Sequence, residues 1–414
     1  MTSTVNMQEV LHWDFGILND VKLERLRKSG TLMNNKKKAN PSIKLANTAR
    51  GKQDTFRKLN DMFGRNVKRL EAYYDYLMPK QIINLNIYLQ KTSDLESLTL
   101  NFRGGKEFTD SKLISLGHAL KTLHSLKVLD IEIIEPTKIN DKGFHKFAFD
   151  LANLTHLKSF TLSVDLCYAS DIAVGRLAKS IGHMRELRNL DLGLIRFANM
   201  QDKALPVFAY NIEKLKELES FILDLSWCRT VSEEGIIAIN DTLAKTKTLK
   251  EYSLRCRKCP ITDNTVTSFI RATRNLPGLE KVSLDMYGCP NINEGSLCEL
   301  FKNFANMKNI KQISLYLGIA GNIPSSFEDM GMEMLGQAIK DLENLNEFIA
   351  TFCEFKNLSD EGIAKLGKAM SVIKNLQKVE LKFSACQGLT KEGIDGLGQL
   401  ISENKKVNHV YLMQ

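Results

Sequence analysis

The stretch RCRKCPITD at 255–263 holds the side chains that most resemble a reactive site. Cys256 and Cys259 stand at C-x-x-C spacing, which can hold a metal ion or form a redox-active disulfide. A four-ligand zinc site needs a second pair of cysteines or histidines, and neither follows nearby. The pattern therefore predicts structural cysteines, with no metal and no cofactor.

Other signatures of catalysis are missing from the sequence as well. There is no G-x-x-x-x-G-K-[ST], G-x-S-x-G or H-E-x-x-H pattern, and the seven histidines are scattered. The stretch RGGK at 103–106 follows a predicted strand and is typical of a turn between repeats. We expect neither an enzyme nor a small-molecule substrate.

A six-residue pattern occurs eleven times in the chain, from LESLTL at 95–100 to VNHVYL at 407–412. The last residues of successive copies are separated by 31, 31, 30, 31, 31, 30, 31, 35, 31 and 31 residues. Each copy alternates apolar and polar residues, as a strand with one buried face does. Between copies the period is helical, as at Ile363, Leu366, Met370 and Ile373. We predict an α/β solenoid, a horseshoe of about eleven strand–turn–helix units over 95–414, with a parallel sheet on its concave face.

Each predicted helix begins with a similar pair of residues, such as Thr262–Asp263 or Ser359–Asp360. The first residue can cap the helix, and the acid suits the positive end of the helix dipole. Five residues after the strand pattern, five of the repeats carry a cysteine. We expect these cysteines to be stacked and buried; they are Cys167, Cys228, Cys259, Cys289 and Cys386.

These L-x-x-L-x-L strands followed by long helices resemble the leucine-rich-repeat superfamily, over about three quarters of the chain. The period of 31 is similar to that of ribonuclease-inhibitor-like repeats, and the C-x-x-[IVL]-[TS] turn is similar to cysteine-containing repeats of F-box proteins. No F-box precedes the repeats, and the usual asparagine after the strand is missing. The resemblance implies a surface that binds proteins.

Two further segments precede the repeats. Residues 54–94 are predicted to form a helical cap, with Phe56, Leu59, Phe63, Leu70, Tyr74 and Leu77 at helical spacing. Residues 1–53 form a basic arm, extended or ordered by a partner, and the chain from Lys22 to Arg69 holds 15 basic and 3 acidic side chains. An acidic polymer, such as tubulin tails or RNA, is the expected neighbour of this arm. Its basic residues include Lys36, Lys37, Lys38, Lys44, Arg50, Lys52, Arg57 and Lys58.

Strand side chains that point away from the helices are expected to form a docking surface with an acidic first half and a mixed second half. One repeat is four residues longer than the others, which predicts a loop near 318–331 with Phe327 as a contact residue. The expected partner-binding residues are Asp130, Glu132, Asp165, Asp191, Asp224, Arg255, Arg257, Asp285, Tyr287 and Tyr316.

The sequence has no long apolar run and no secretory leader, so we expect a cytoplasmic protein, in the cytoskeleton or cilium, with no membrane span. The favoured function is a non-enzymatic scaffold for protein–protein interaction in a multi-subunit assembly, cytoskeletal or axonemal. The axonemal choice follows from similarity in architecture to the leucine-rich-repeat subunit of a dynein regulatory complex. Two alternatives stay open: a regulator of a small GTPase, and a ribonucleoprotein component bound through the basic arm.

Overall fold

The structure is a computed structural model that describes residues 11–14, 42–47, 67–74, 79–103, 108–135, 139–201, 203–318 and 325–414. At 11–14, 42–47, 79–80 and 325–327 it describes the backbone alone. The chain divides into two compact units, Met1–Leu187 and Arg188–Gln414. The boundary between them falls inside the segment that the sequence predicts as one solenoid.

In the first unit, parallel strands pair in chain order and alternate with helices. Consecutive helices contact one another and cover one side of the strands. The strands are β1 (Leu11–Asp14), β2 (Ser42–Asn47), β3 (Arg69–Tyr74), β4 (Ser97–Phe102), β5 (Val128–Ile134) and β6 (Ser159–Asp165). The helices are α1 (Pro79–Leu89), α2 (Asp110–Leu120), α3 (Asp141–Leu151) and α4 (Asp171–Ile181).

The second unit repeats this arrangement, with every neighbouring pair of strands parallel. Its strands are β7 (Asn189–Ile195), β8 (Ser220–Asp224), β9 (Glu251–Arg255), β10 (Lys281–Asp285), β11 (Gln312–Gly318), β12 (Glu347–Cys353), β13 (Lys378–Ser384) and β14 (His409–Met413). Its helices are α5 (Ala204–Ile212), α6 (Glu233–Leu243), α7 (Asp263–Arg274), α8 (Glu294–Phe304), α9 (Ser325–Ile339), α10 (Asp360–Ser371) and α11 (Lys391–Ser402).

The predicted fold class is therefore confirmed: each unit is an α/β repeat of strand, turn and helix. All eleven sequence patterns lie on strands β4 to β14. The apolar side chains at alternate positions of these strands, such as Leu129 and Ile131, are fully buried. Burying one such side chain contributes about 1.5–3 kcal/mol.

The helical prediction for the cap is wrong at Arg69–Tyr74, which is strand β3. Leu70 and Tyr74 are four residues apart, a spacing that fits a helix face and also fits one face of a strand. The side chains of Leu70, Ala72 and Tyr74 are buried in alternation. The Tyr74 ring stacks on Phe102 of β4, with ring centroids 5.4 Å apart. A helix does follow, at Pro79–Leu89, and Phe56, Leu59, Phe63 and Leu77 lie outside the described residues.

The cysteines form the first of three hydrogen-bond ladders between repeats. Each stacked thiol donates to a backbone carbonyl of the preceding repeat, as Cys228 Sγ does to Leu194 O at 3.0 Å and Cys259 Sγ to Leu225 O at 3.0 Å. Cys289 Sγ donates to Cys256 O at 2.9 Å, and Cys386 Sγ to Phe352 O at 3.5 Å. The expected burial of all five cysteines is confirmed.

The second ladder uses the acids at the helix starts. Asp360 Oδ1 accepts the backbone N–H of Thr390, the cap of the next helix, at 2.9 Å, and its Oδ2 accepts the Thr390 hydroxyl at 2.6 Å. Asp329 binds Ser359 in the same way, and Asp141 binds Ser170 in the first unit. These acids therefore tie each helix to the next one, in addition to lying at the positive end of their own helix.

The third ladder runs through the turn after each strand. One residue there is left-handed, as at Arg196 (φ 54°), Trp227 (φ 66°) and Lys258 (φ 59°). Its backbone N–H donates to a carbonyl of the following repeat, from Trp227 to Arg257 O at 2.7 Å and from Lys258 to Tyr287 O at 2.8 Å. The same backbone turn recurs with a different, partly or fully exposed side chain in each of these repeats.

Candidate functional site

Each sheet has one side packed on helices and another side whose residues stay partly exposed. Along β5 and β6, for example, buried residues alternate with half-buried ones. The side away from the helices is called the open face below. All ten residues predicted to bind partners lie on an open face or in the turn directly after it.

The open face of the first unit is acidic at its centre. Register places Glu71, Thr99, Asp130 and Thr161 in one row across β3 to β6. The neighbouring row is Tyr73, Asn101, Glu132 and Ser163. These eight positions hold three carboxylates and no lysine or arginine, and Asp165 follows at the end of β6. The open face is therefore acidic on β3 to β6, and that it binds a partner stays a prediction.

The surroundings of Asp130 disfavour its ionisation. Partial burial raises its pKa, and the neighbouring carboxylates of Glu132 and Glu71 raise it further. Its charged form is therefore disfavoured in the folded chain. Glu132 in turn accepts a hydrogen bond from the Asn101 amide, whose oxygen has no hydrogen-bond partner among the described residues.

The open face of the second unit carries both signs of charge. One row contains Asp224, Arg255, Asp285 and Tyr316 on adjacent strands. Arg255 Nη1 lies 3.8 Å from Asp224 Oδ2, and Arg257 Nη2 lies 2.8 Å from Asp285 Oδ2. Asp285 is buried, with 5% of its surface exposed, so it positions Arg257 rather than offering its own charge to a partner. Asp191 lies on β7, in register with Ile222 of β8.

Beside this row lies a cluster of aromatic and basic side chains, in which Arg257 and Tyr287 were predicted from the sequence and Trp227, Arg229 and Lys258 were not. Lys258 Nζ lies 5.9 Å from the centre of the Trp227 ring and 5.0 Å from the centre of the Tyr287 ring. The Arg229 guanidinium lies 5.8 Å from the Trp227 ring, and that of Arg257 lies 5.5 Å from the Tyr287 ring. Counting four residues past each strand pattern would have found Trp227 and Lys258, just as counting five finds the cysteines.

The C-x-x-C pair is buried in the core of the second unit. Hydrogen bonding to Cys259 and burial together raise the pKa of the Cys256 thiol well above its usual range. Burial also raises the pKa of Cys228 and of Cys289 to about 12. A thiol held in its protonated form is a poor nucleophile and a poor metal ligand. Among the described residues, no group of three or more His, Cys, Asp or Glu side chains could hold a metal ion.

The second half of the predicted loop, from Ser325 onward, is helical and lengthens the helix of this repeat. Helix α9 has 15 residues and begins at Ser325, one turn before Asp329, which takes the usual acid position. Phe327 lies within this turn, and its side chain is outside the described residues. Glu328 in the same turn is buried, and its Oε2 accepts the backbone N–H of Asn357 at 2.8 Å.

Part of the predicted basic arm lies in strands. Lys44 belongs to β2, in register with Glu71 of β3. The other named arm residues, Lys36, Lys37, Lys38, Arg50, Lys52, Arg57 and Lys58, lie outside the described residues. Binding of an acidic polymer by this segment stays a prediction.

Comparison with known proteins identifies no relative. No protein-family model matches the chain, and no curated protein matches it. Within the part of the chain that the structure describes, no helix has both the length and the apolar character needed to cross a bilayer. The candidate function must therefore come from the open faces themselves.

Proposed function

We propose that this protein is a non-enzymatic scaffold of the leucine-rich-repeat type that binds protein partners on the open faces of its sheets. The main observation in support of this proposal is the acidic open face of the first unit. Its central rows gather Glu71, Asp130 and Glu132 on strands β3 to β5, and partial burial with like charges raises the pKa of Asp130.

Such a cluster works against folding, because at neutral pH the charged form of Asp130 is disfavoured by its surroundings. A lysine- or arginine-rich partner segment would supply positive charge to Asp130 and Glu132. Electrostatic complementarity of this kind favours partner selection and fast association. The acids are therefore better explained by binding than by stability.

The free cysteines support an intracellular site of action. All eight are unpaired thiols, and buried thiols donate hydrogen bonds between repeats. For the wider assembly we propose a cytoskeletal or axonemal lattice. The support is the excess of basic residues between Lys22 and Arg69, which suits acidic tubulin tails.

Affinity capture from a native extract tests the scaffold. The double variant Asp130→Lys/Glu132→Lys reverses the charge of the open face, and Glu299→Lys/Glu361→Lys makes the same change on exposed helix positions. We expect the first variant to lose most of the proteins recovered by the unmodified chain and the second to keep them. Circular dichroism verifies that both variants fold. Equal recovery of every partner by both variants would refute the proposed docking face. Tubulin that both variants keep would support a lattice contact through the basic segment between Lys22 and Arg69, which neither variant changes.

A further inference from the structure

The turns after β8, β9 and β10 carry an alternating stack of basic and aromatic side chains. It is called the Trp227 cluster here and consists of Trp227, Arg229, Arg257, Lys258 and Tyr287. Lys258 lies between the two rings, 5.9 Å from the centre of Trp227 and 5.0 Å from that of Tyr287. Trp227 itself is 40% exposed. The stack therefore presents both an apolar surface and positive charge to solvent.

Two glycines leave the space that the Lys258 and Tyr287 side chains occupy. A Cβ at Gly288 would lie 2.7 Å from both Cδ and Cε of Lys258, and a Cβ at Gly318 would collide with the Tyr287 ring. The Tyr287 hydroxyl also lies 3.4 Å from Glu354 Oε1, and its backbone N–H donates to Asp285 Oδ1 at 3.1 Å. Lys258 and Tyr287 are thus held by close packing, which lowers the entropy lost when a ligand binds.

The positive charges of the cluster differ in their partners. Arg257 is paired with Asp285 at 2.8 Å, and Arg255 nearby faces Asp224. Among the described residues, Lys258 and Arg229 have no carboxylate within ion-pair distance, and their recorded contacts are with aromatic rings. An incoming anion can bind these two cations without breaking an existing salt bridge.

We propose that the Trp227 cluster binds an acidic peptide segment, with carboxylates on Lys258 and Arg229 and an apolar side chain on Trp227. This inference rests on the proposed function and names the partner class for the open face of the second unit. Tryptophan, tyrosine and arginine are the residues that most often dominate the energy of protein interfaces. Adjacent strands are about 4.8 Å apart, so the three turns span roughly three residues of an extended peptide.

The surrounding charges favour a peptide over a nucleic acid. Asp224, Asp285 and Glu354 border the cluster. A phosphate backbone carries charge at every nucleotide and would meet these acids, whereas nucleic-acid interfaces are strongly positive. A peptide, in contrast, can carry carboxylates at the positions that face Lys258 and Arg229 and uncharged residues at the positions that face the acids.

Fluorescence of the full-length chain provides the test. The protein has two tryptophans, Trp13 and Trp227, so the Trp13→Phe variant reports on Trp227 alone. The probe is a short peptide in which glutamates flank one phenylalanine. We expect it to shift the emission of Trp227, while the same peptide with lysines in place of the glutamates leaves that emission unchanged. Anisotropy of a fluorescein-labelled copy of the probe gives the affinity for the unmodified protein.

Removing one charge identifies the binding residues. Lys258→Gln should weaken binding about tenfold or more, because it removes a charge-assisted contact and keeps most of the side chain. The matched control is Lys302→Gln, which removes an exposed lysine from helix α8 and should leave the affinity unchanged. Added salt should weaken binding of the unmodified protein.

Three results would overturn this proposal: no binding of the acidic probe, equal weakening by both lysine variants, or tighter binding of an oligothymidylate than of the peptide. If one of these is found while Asp130→Lys/Glu132→Lys still loses its captured partners, the scaffold function stands and only the acidic-peptide site fails. If the charge-reversed variant also keeps its partners, both proposals fail.

Discussion

At the scale of single residues, the cysteines illustrate how a reactive-looking motif can be structural. The spacing of Cys256 and Cys259 suggests a metal or redox site, yet each thiol position belongs to a different part of the repeat. Cys259 joins the ladder of thiols that donate to carbonyls of the preceding repeat, while the backbone carbonyl of Cys256 accepts from Cys289. The position of each cysteine relative to the end of the strand pattern, and not the spacing between the two cysteines, explains both hydrogen bonds.

Thiol labelling of the folded protein tests this assignment. We expect Cys298 and Cys353, which are partly exposed, to react with a disulfide reagent at pH 8, while the six buried cysteines stay unlabelled until the chain unfolds. Fast labelling of Cys256 or Cys259 in the native state would contradict the structural role. Peptide mapping by mass spectrometry distinguishes the sites.

The buried thiols also predict how the stability of the folded protein changes with pH. Burial raises the pKa of Cys167, Cys228 and Cys289 to about 12 from an ordinary value of 9.0. Their contribution to stability is therefore complete below about pH 9 and is lost as the pH rises toward 12, because the unfolded chain releases these protons first.

At the scale of elements, the strand and helix order of β4 to β14 could be predicted from the sequence because every repeat buries leucines in the same pattern. Strand β3 could not, since the spacing of Leu70 and Tyr74 suits both helix and strand and only pairing with β4 decides between them. The extra turn of α9 was predicted as a loop because glycine and proline precede it. Both errors concern segments whose conformation depends on a neighbouring repeat.

In the Asp360–Thr390 rung of the acid ladder, a glycine near the start of the following helix lies against the Asp360 carboxylate. A Cβ at Gly393 would collide with the Asp360 carboxylate, whereas a Cβ at Gly396, one turn further along the same helix, meets nothing within 4 Å. Helix propensity alone predicts that alanine stabilises both positions. The contact with Asp360 instead predicts that alanine destabilises the protein at position 393 and stabilises it at position 396.

We expect Gly393→Ala to lower the free energy of unfolding by about 1–3 kcal/mol through overpacking against Asp360. Gly396→Ala should raise it by about 0.5–1 kcal/mol. Urea denaturation of both variants measures the difference. Stabilisation by Gly393→Ala would show that the contact between Asp360 and helix α11 is looser than the structure indicates.

At the scale of the whole molecule, a repeat architecture leaves one side of each sheet without a helix, and function must be sought on that side. The sequence located the charged residues of these open faces because strands alternate their side chains. The positions of Trp227 and Lys258 could have been found by counting from the strand patterns, but their contact with each other and with Tyr287 depends on the left-handed turn, which is not visible as a motif. Nor could the sequence reveal that Asp285 is buried under Arg257.

Carboxyl footprinting of the protein in a native complex tests the central claim most directly. A carbodiimide couples an amine to exposed carboxylates, and mass spectrometry compares each site in the free and partner-bound protein. We predict that labelling of Asp130 and Glu132 falls several-fold on binding, while labelling of Glu299 and Glu361 on the helices is unchanged. Protection of the helix carboxylates with unchanged labelling of Asp130 and Glu132 would contradict the account, because partners would then bind the helical side.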